Sequence, residues 1–166
     1  MVATVTATYF GYVAVRGRVR RRPTTAPSVQ QPDAPYDAFI SYADADEDKA
    51  EWLAQGLRAR GLRIFLAKWI DVGLVEYAEK ERALADSANG ILLFSSTTMS
   101  RPDIRDEYAA LLQRVHSSGR RFVPVVVEKV ELPPFARIRR PLDLVDRGNE
   151  AVALDELARA ISSPPP

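Results

Sequence analysis

Strand-like and helix-like signals alternate along this chain with short connections. Five short apolar runs are separated by helical patterns, and no internal repeat breaks the alternation. These observations predict an α/β fold built on a doubly wound parallel sheet with helices on both faces. Parallel neighbours cannot be joined by a tight hairpin, so each strand has to hand over to a crossover.

The first element is Tyr36 to Ile40, short, apolar and rich in strand formers. It reads as a buried strand that delivers Ser41, Tyr42 and Ala43 to its carboxyl end, the edge where open α/β sheets bind ligands. Asp44, with Glu47 three residues on, has the form of a capping box for a helix over about 45–60, and Gly61 supplies its stop. Leu62 to Leu66 reads as a second strand and Val75 to Ser87 as a second helix. Asn89 to Ser95 is the third strand, whose continuous run Ile91-Leu92-Leu93-Phe94 implies burial on both faces. Ser100 to about Ser117 is a third helix, with Ile104, Tyr108, Leu111 and Val115 on one stripe. Phe122 to Val127 is a fourth strand. The proline-marked crossover Leu132-Pro133-Pro134-Phe135 leads to a short fifth strand, Pro141 to Val145, and Val152, Leu157 and Ile161 line a final helix.

Composition limits what such a chain can be. Its 166 residues, 46% hydrophobic and 27% charged, suit one compact domain with a sizeable core and are too few for two ordinary ones. Residues 1–34 read as an extension, expected to be poorly ordered, with an arginine cluster (Arg16, Arg18, Arg20, Arg21, Arg22) and then a Pro/Thr/Ser/Gln linker. Residues 35–162 form the domain and 163–166 a proline tail. The net charge of +1 hides an asymmetry, because the extension carries the excess of arginine and leaves the rest at about −3. The folded part is therefore not expected to bind nucleic acid, while the arginine cluster of the extension could touch an acidic partner, nucleic acid or lipid headgroups.

Cysteine is absent, which removes disulfides, thiolate metal sites and cysteine nucleophiles and fits a reducing compartment. His116 is the single histidine, so a multi-histidine metal site is impossible and a Ser-His-Asp triad would have to be built on it. Asp44, Asp46 and Asp48 mimic half a calcium loop, but the glycine and closing acid are missing. No metal is expected. No apolar run approaches the roughly 20 residues that span a bilayer, and the arginines follow the apolar Met1 to Val15 segment, the wrong order for a secretory signal. A cytoplasmic location is the expectation.

Taken in order, several segments together resemble a TIR domain of the bacterial kind. They are Tyr36-Asp37-Ala38-Phe39-Ile40-Ser41-Tyr42, then Phe65-Leu66-Ala67-Lys68-Trp69-Ile70-Asp71-Val72-Gly73, Ile91-Leu92-Leu93-Phe94-Ser95, Asp106-Glu107-Tyr108 and Phe122-Val123-Pro124-Val125. The resemblance covers about residues 35–162 and implies a flavodoxin-like five-stranded sheet of order 2-1-3-4-5. It also implies one of two functions. Some TIR domains are adaptors that self-associate or bind other TIR domains; others cleave the nicotinamide-ribose bond of NAD+ with a glutamate on the helix after the third strand. Here that position matches Glu107, about 60° off the centre of the Ile104/Tyr108 stripe.

Breaking that bond asks for little more than one carboxylate. The ribose carbon acquires oxocarbenium character as nicotinamide leaves, and a fixed negative charge stabilises it. NAD+ would then be a consumed substrate and not a cofactor, consistent with the lack of any Gly-x-Gly-x-x-Gly turn. By spacing alone, Glu107 reads as an ordinary acid of the first helical turn favoured by the helix dipole, and it is the resemblance that turns it into a catalytic candidate.

The resemblance makes residues 67–74 a loop near the substrate and at contacts with neighbouring domains. Trp69 would either stack on nicotinamide or adenine or close the sheet edge. Asp71 shares that loop, and Gly73 marks a turn needing positive φ. Ser41 and Tyr42 are expected to line the pocket. Ala43 stands where some catalytic relatives carry a larger or basic residue, and Ser95 either touches the ligand or forms a turn. A non-catalytic TIR interaction module is the alternative, and a nucleoside deoxyribosyltransferase-like enzyme a further one. A phospho-acceptor receiver domain lacks its adjacent acidic pair.

Overall fold

The computed structural model describes residues 35–101, 104, 108–109, 111–113 and 120–163. Five parallel strands form one sheet of order β2-β1-β3-β4-β5: β1 Tyr36–Ser41, β2 Ile64–Leu66, β3 Ser87–Phe94, β4 Arg121–Val126 and β5 Leu142–Asp143. This is the flavodoxin-like order. The helices are α1 Glu47–Arg58, α2 Glu76–Asp86, α3 Pro134–Arg137 and α4 Glu150–Ser162. Residues 104, 108–109 and 111–113 are helical as well.

The period-two geometry of strands sorts the core into two layers. Ala38 and Ile40 of β1, Ile91 and Leu93 of β3 and Val123 and Val125 of β4 face α1 and α4, where they meet Leu53, Leu57, Leu154 and Leu157. The intervening Phe39, Leu92, Phe94 and Phe122 face the other way, onto Ala83 and Leu84 of α2, Ile104, Tyr108 and Leu111, and Ala136 of α3. Phe39 stacks on Phe65 with ring centroids 5.2 Å apart, and Tyr108 stacks on Phe135 at 3.9 Å. Ile91 to Phe94 are buried on both faces, as their continuous apolar run implied.

Several local expectations change. Asp44 does not cap a helix from 45: residues Asp44–Asp46 first make a 3-10 turn, α1 starts at Glu47, and no side chain caps either start. The turn points the Asp44 carboxylate sideways, to the Arg101 guanidinium at 2.8 Å. Ser87 belongs to β3 and not to α2, since it pairs with Tyr36, while its hydroxyl still donates to the Ala83 carbonyl at 2.6 Å. The fifth strand is two residues long because only Leu142 and Asp143 lie in register with β4. Val152 is exposed. Ala153, Leu154, Leu157 and Ile161 carry the buried face of α4 instead. Ser100 closes a 3-10 turn, Thr98–Ser100, and does not begin the third helix. Val115, His116 and the extension 1–34 lie outside the described residues.

At its amino end the β1/β2 pair is locked by one ion pair. Arg63 donates its backbone N–H to Asp37 Oδ2 at 2.7 Å and its guanidinium to Oδ1 at 2.8 Å, and Asp37 N–H returns a bond to the Arg63 carbonyl at 2.7 Å. Partial burial pushes the Asp37 carboxyl up, but these hydrogen bonds and the Arg63 charge outweigh it and hold the carboxyl below its ordinary value.

A side chain on Gly90, in the middle of β3, would run into Leu111 Cδ2. Leu111 is itself buried, so Gly90→Val should cost about 1–3 kcal/mol of stability by overpacking, read from urea unfolding. The Asp37 tie carries a sign. A depressed folded value stabilises the protein above the ordinary carboxyl range, and that contribution is lost as pH falls through the folded value. The stability gap between the parent chain and Asp37→Asn should therefore be constant near neutrality and close below about pH 4, read by denaturant melts across pH.

Candidate functional site

Sheet topology places the chemistry. With both faces covered by helices, only the strand ends are open, and at the β1/β3 boundary successive connections leave in opposite directions and open a crevice at the carboxyl edge. β1 ends there in Ser41, which is buried, followed by half-buried Tyr42 and buried Ala43. A cleft of about 290 Å³ lies beside them, lined by Tyr42, Glu47, Lys68, Glu76, Lys80 and Ile104 among others.

Of the charged residues that line it, the acids Asp44, Glu47 and Glu76 outnumber the lysines Lys68 and Lys80. Lys68 Nζ sits 3.0 Å from Glu47 Oε1 and 2.8 Å from Glu51 Oε2. The hydrogen bonds to Glu51 and then Glu47 raise the lysine above its ordinary value, while the same bond to Lys68 lowers Glu51. Lys80 lies 2.9 Å from Glu76. Tyr42 is pushed up chiefly by burial, against the backbone N–H of Lys68 that bonds to it. Its phenol thus stays protonated at neutral pH, a hydrogen-bond donor at the cleft wall. A phenol donor and two lysines held in ion pairs are the polar donors that this cleft presents.

The sequence-derived residues fall into three places. Ser41, Tyr42 and Ala43 form the end of β1 beside the cleft. Trp69 and Asp71 line a different cleft, of about 600 Å³, along the outer side of β2. Trp69 is half-buried there, packed against the α1-side core with the Arg58 guanidinium 4.8 Å from its ring centroid. Gly73 takes φ +95 in a turn where Leu74 N–H donates to the Asp71 carbonyl at 3.2 Å. Around it Val72, Leu74, Val75 and Tyr77 are exposed. Glu107 lies outside the described residues. Its helical neighbours in sequence are described: Ile104 lines the 290 Å³ cleft and Tyr108 is buried in the α2-side core.

Ser95, at the end of β3, is bound within the protein. Its hydroxyl donates to Asp46 Oδ2, and its backbone N–H donates to Thr98 Oγ1 at 2.9 Å. Glu128, beyond β4, accepts the Ser96 N–H at 2.8 Å, a bond that holds its carboxyl below the ordinary value. Composition and motif left Asp46, Thr98, Glu128, Lys68 and Lys80 without roles. Asp46 carried one usable signal: a lysine three residues on, one turn away in a helix.

A family model described as TIR domain matches residues 38–158. The TIR domain of the Toll-related receptor TRR-2 from Hydra magnipapillata is 22% identical with a TM-score of 0.66, the match covering 77% of this chain and 99% of that one. A metazoan TIR-STING receptor from C. gigas, solved in complex with 2',3'-cGAMP, is 26% identical with a TM-score of 0.64; 84% of this chain spans 43% of that receptor. The TIR domains of the activated Roq1 resistosome are 21% identical with a TM-score of 0.54, over 76% of this chain and 82% of theirs. No curated protein matches the sequence. Fold, strand order and family model agree over the whole sheet, and the chain belongs to the TIR domain family.

Proposed function

We propose that this TIR domain cleaves the nicotinamide-ribose bond of NAD+ once copies assemble, as an effector in bacterial defence or stress signalling in the cytoplasm. The observation that carries the reading is the placement of Glu107 in the sequence between Ile104, which lines the carboxyl-edge cleft, and Tyr108, which is buried in the α2-side core.

The chemistry follows from the substrate. The bond from ribose C1′ to the nicotinamide nitrogen breaks, its electron pair leaves with nicotinamide and neutralises the ring, and C1′ becomes an oxocarbenium-like cation. The Glu107 carboxylate stabilises that cation. Water then adds at C1′ and gives up a proton, or a ring nitrogen of the adenine adds and closes a cycle. Ser41 and Tyr42 are the neighbouring groups for the ribose and base, with Lys68 and Lys80 on the phosphate side. Trp69, Asp71 and Gly73 belong to the loop through which copies meet.

One observation favours the adaptor reading: the exposed apolar side chains Val72, Leu74, Val75 and Tyr77 crowd around Gly73. A loop of that kind meets another protein whether or not chemistry follows.

Purified full-length chain incubated with NAD+ under assembly-promoting conditions should release nicotinamide, and Glu107→Ala should lower the rate by about 100-fold or more, as loss of a main electrostatic group does. No release from the parent chain in the assembled state would overturn the reading. Suppression by free nucleosides in place of NAD+ turnover would point to the deoxyribosyltransferase-like reaction. Gly73→Pro forces φ to about −65° where the loop takes a positive value. In an enzyme it should abolish association and nicotinamide release together; in an adaptor it abolishes association alone, measured by light scattering alongside the turnover assay.

A further inference from the structure

The cleavage chemistry leaves one buried carboxylate without a task. Asp46 is 3% exposed, and a carboxylate so far from water is tolerated only when its oxygens are bonded. Its two oxygens reach different elements. Oδ2 accepts the hydroxyl of Ser95 at the end of β3, and Oδ1 lies 3.2 Å from Lys49 Nζ in α1. Thr98, fully buried, completes the knot: its hydroxyl accepts the Ser95 N–H at 2.9 Å and donates to the Leu93 carbonyl at 2.9 Å.

Two more carboxylates hold the same stretch from outside. Glu128 takes the Ser96 N–H, and Asp44 takes the Arg101 guanidinium at 2.8 Å. The exit of β3, residues 95–101, is thus gripped by acids from the β1–α1 connection on one side and from beyond β4 on the other. Only Asp46 does so from within the core. From this exit the chain continues to Ile104 at the cleft and, in sequence, to Glu107.

We infer that Asp46 is a positioning residue: its buried carboxylate fixes Ser95 and the exit of β3, and so sets the path of the chain toward Ile104 at the cleft and, three residues further in sequence, Glu107. It touches no substrate. The effect on turnover rests on the NAD+ reading; the tie between Asp46 and residues 95–101 does not. An acid of this kind contributes through geometry, since an error of about 1 Å in a reacting group costs on the order of 100-fold in rate.

The test uses the full chain with Asp46→Asn, which keeps shape and one acceptor, Asp46→Ala, which removes both, and Ser95→Ala in case either fails to fold. Amide exchange over residues 95–101 should quicken by about 10-fold or more, in the order Ala above Asn, while β4 and α4 keep the parent rates. For nicotinamide release, kcat per folded molecule should fall by about 10-fold with KM within about twofold, and Asn should recover part of the Ala loss. Unchanged exchange in all variants overturns the inference, as does a loosened exit with undiminished kcat, the signature of a purely structural acid. If the parent chain releases no nicotinamide, the NAD+ reading falls and the exchange measurement alone decides the tie.

Discussion

A parallel sheet has to be covered on both faces, and that constraint shapes everything else in this domain. β1 and β3 lie in its middle with apolar side chains alternating into two separate layers. A polar group in the middle of either strand would be stranded far from water. Chemistry is therefore pushed to the strand ends, and Ser41, the last residue of β1, and Ser95, the first beyond β3, arrive at the same edge. Gly90 belongs to the same logic: it lets Leu111 approach the sheet where a larger residue would hold that layer off.

The readable and unreadable parts of the sequence divide along physical lines. Strand order and burial were legible because continuous apolar runs such as Ile91 to Phe94 have one stable place, the centre of the sheet. Gly61 and Gly73 were legible because both adopt positive φ. The capping box was misread, since a 3-10 turn and an α-helix start share the same local acids and only the path of the chain separates them. Val152 was misread because helical spacing fixes which residues share a face but not which neighbouring face turns inward. The roles of Asp46 and Thr98 were harder to read. The Ser95 partner of Asp46 is 49 residues away, and although Thr98 bonds its near neighbours Ser95 and Leu93, no local pattern records that the fold buries this turn.

At the carboxyl-edge cleft three acids, Asp44, Glu47 and Glu76, face two lysines, and both lysines are held in ion pairs. Lys68 is clasped by Glu47 and Glu51, and Lys80 by Glu76. These pairs are partly exposed and individually weak, so either lysine can change partners at small cost. Tyr42, whose phenol is fixed in its protonated form, keeps a donor at the wall throughout.

β2, only three residues long, forms one flank of the sheet with no strand beyond it among the described residues. A bare flank ordinarily invites another chain to extend the sheet, the opening move of fibril growth. Here the Arg63–Asp37 and Arg82–Glu79 pairs and the Arg58 guanidinium crowd that groove. Any chain laid along it would have to dehydrate them. A concentrated solution of this domain is thereby steered away from sheet-to-sheet polymers.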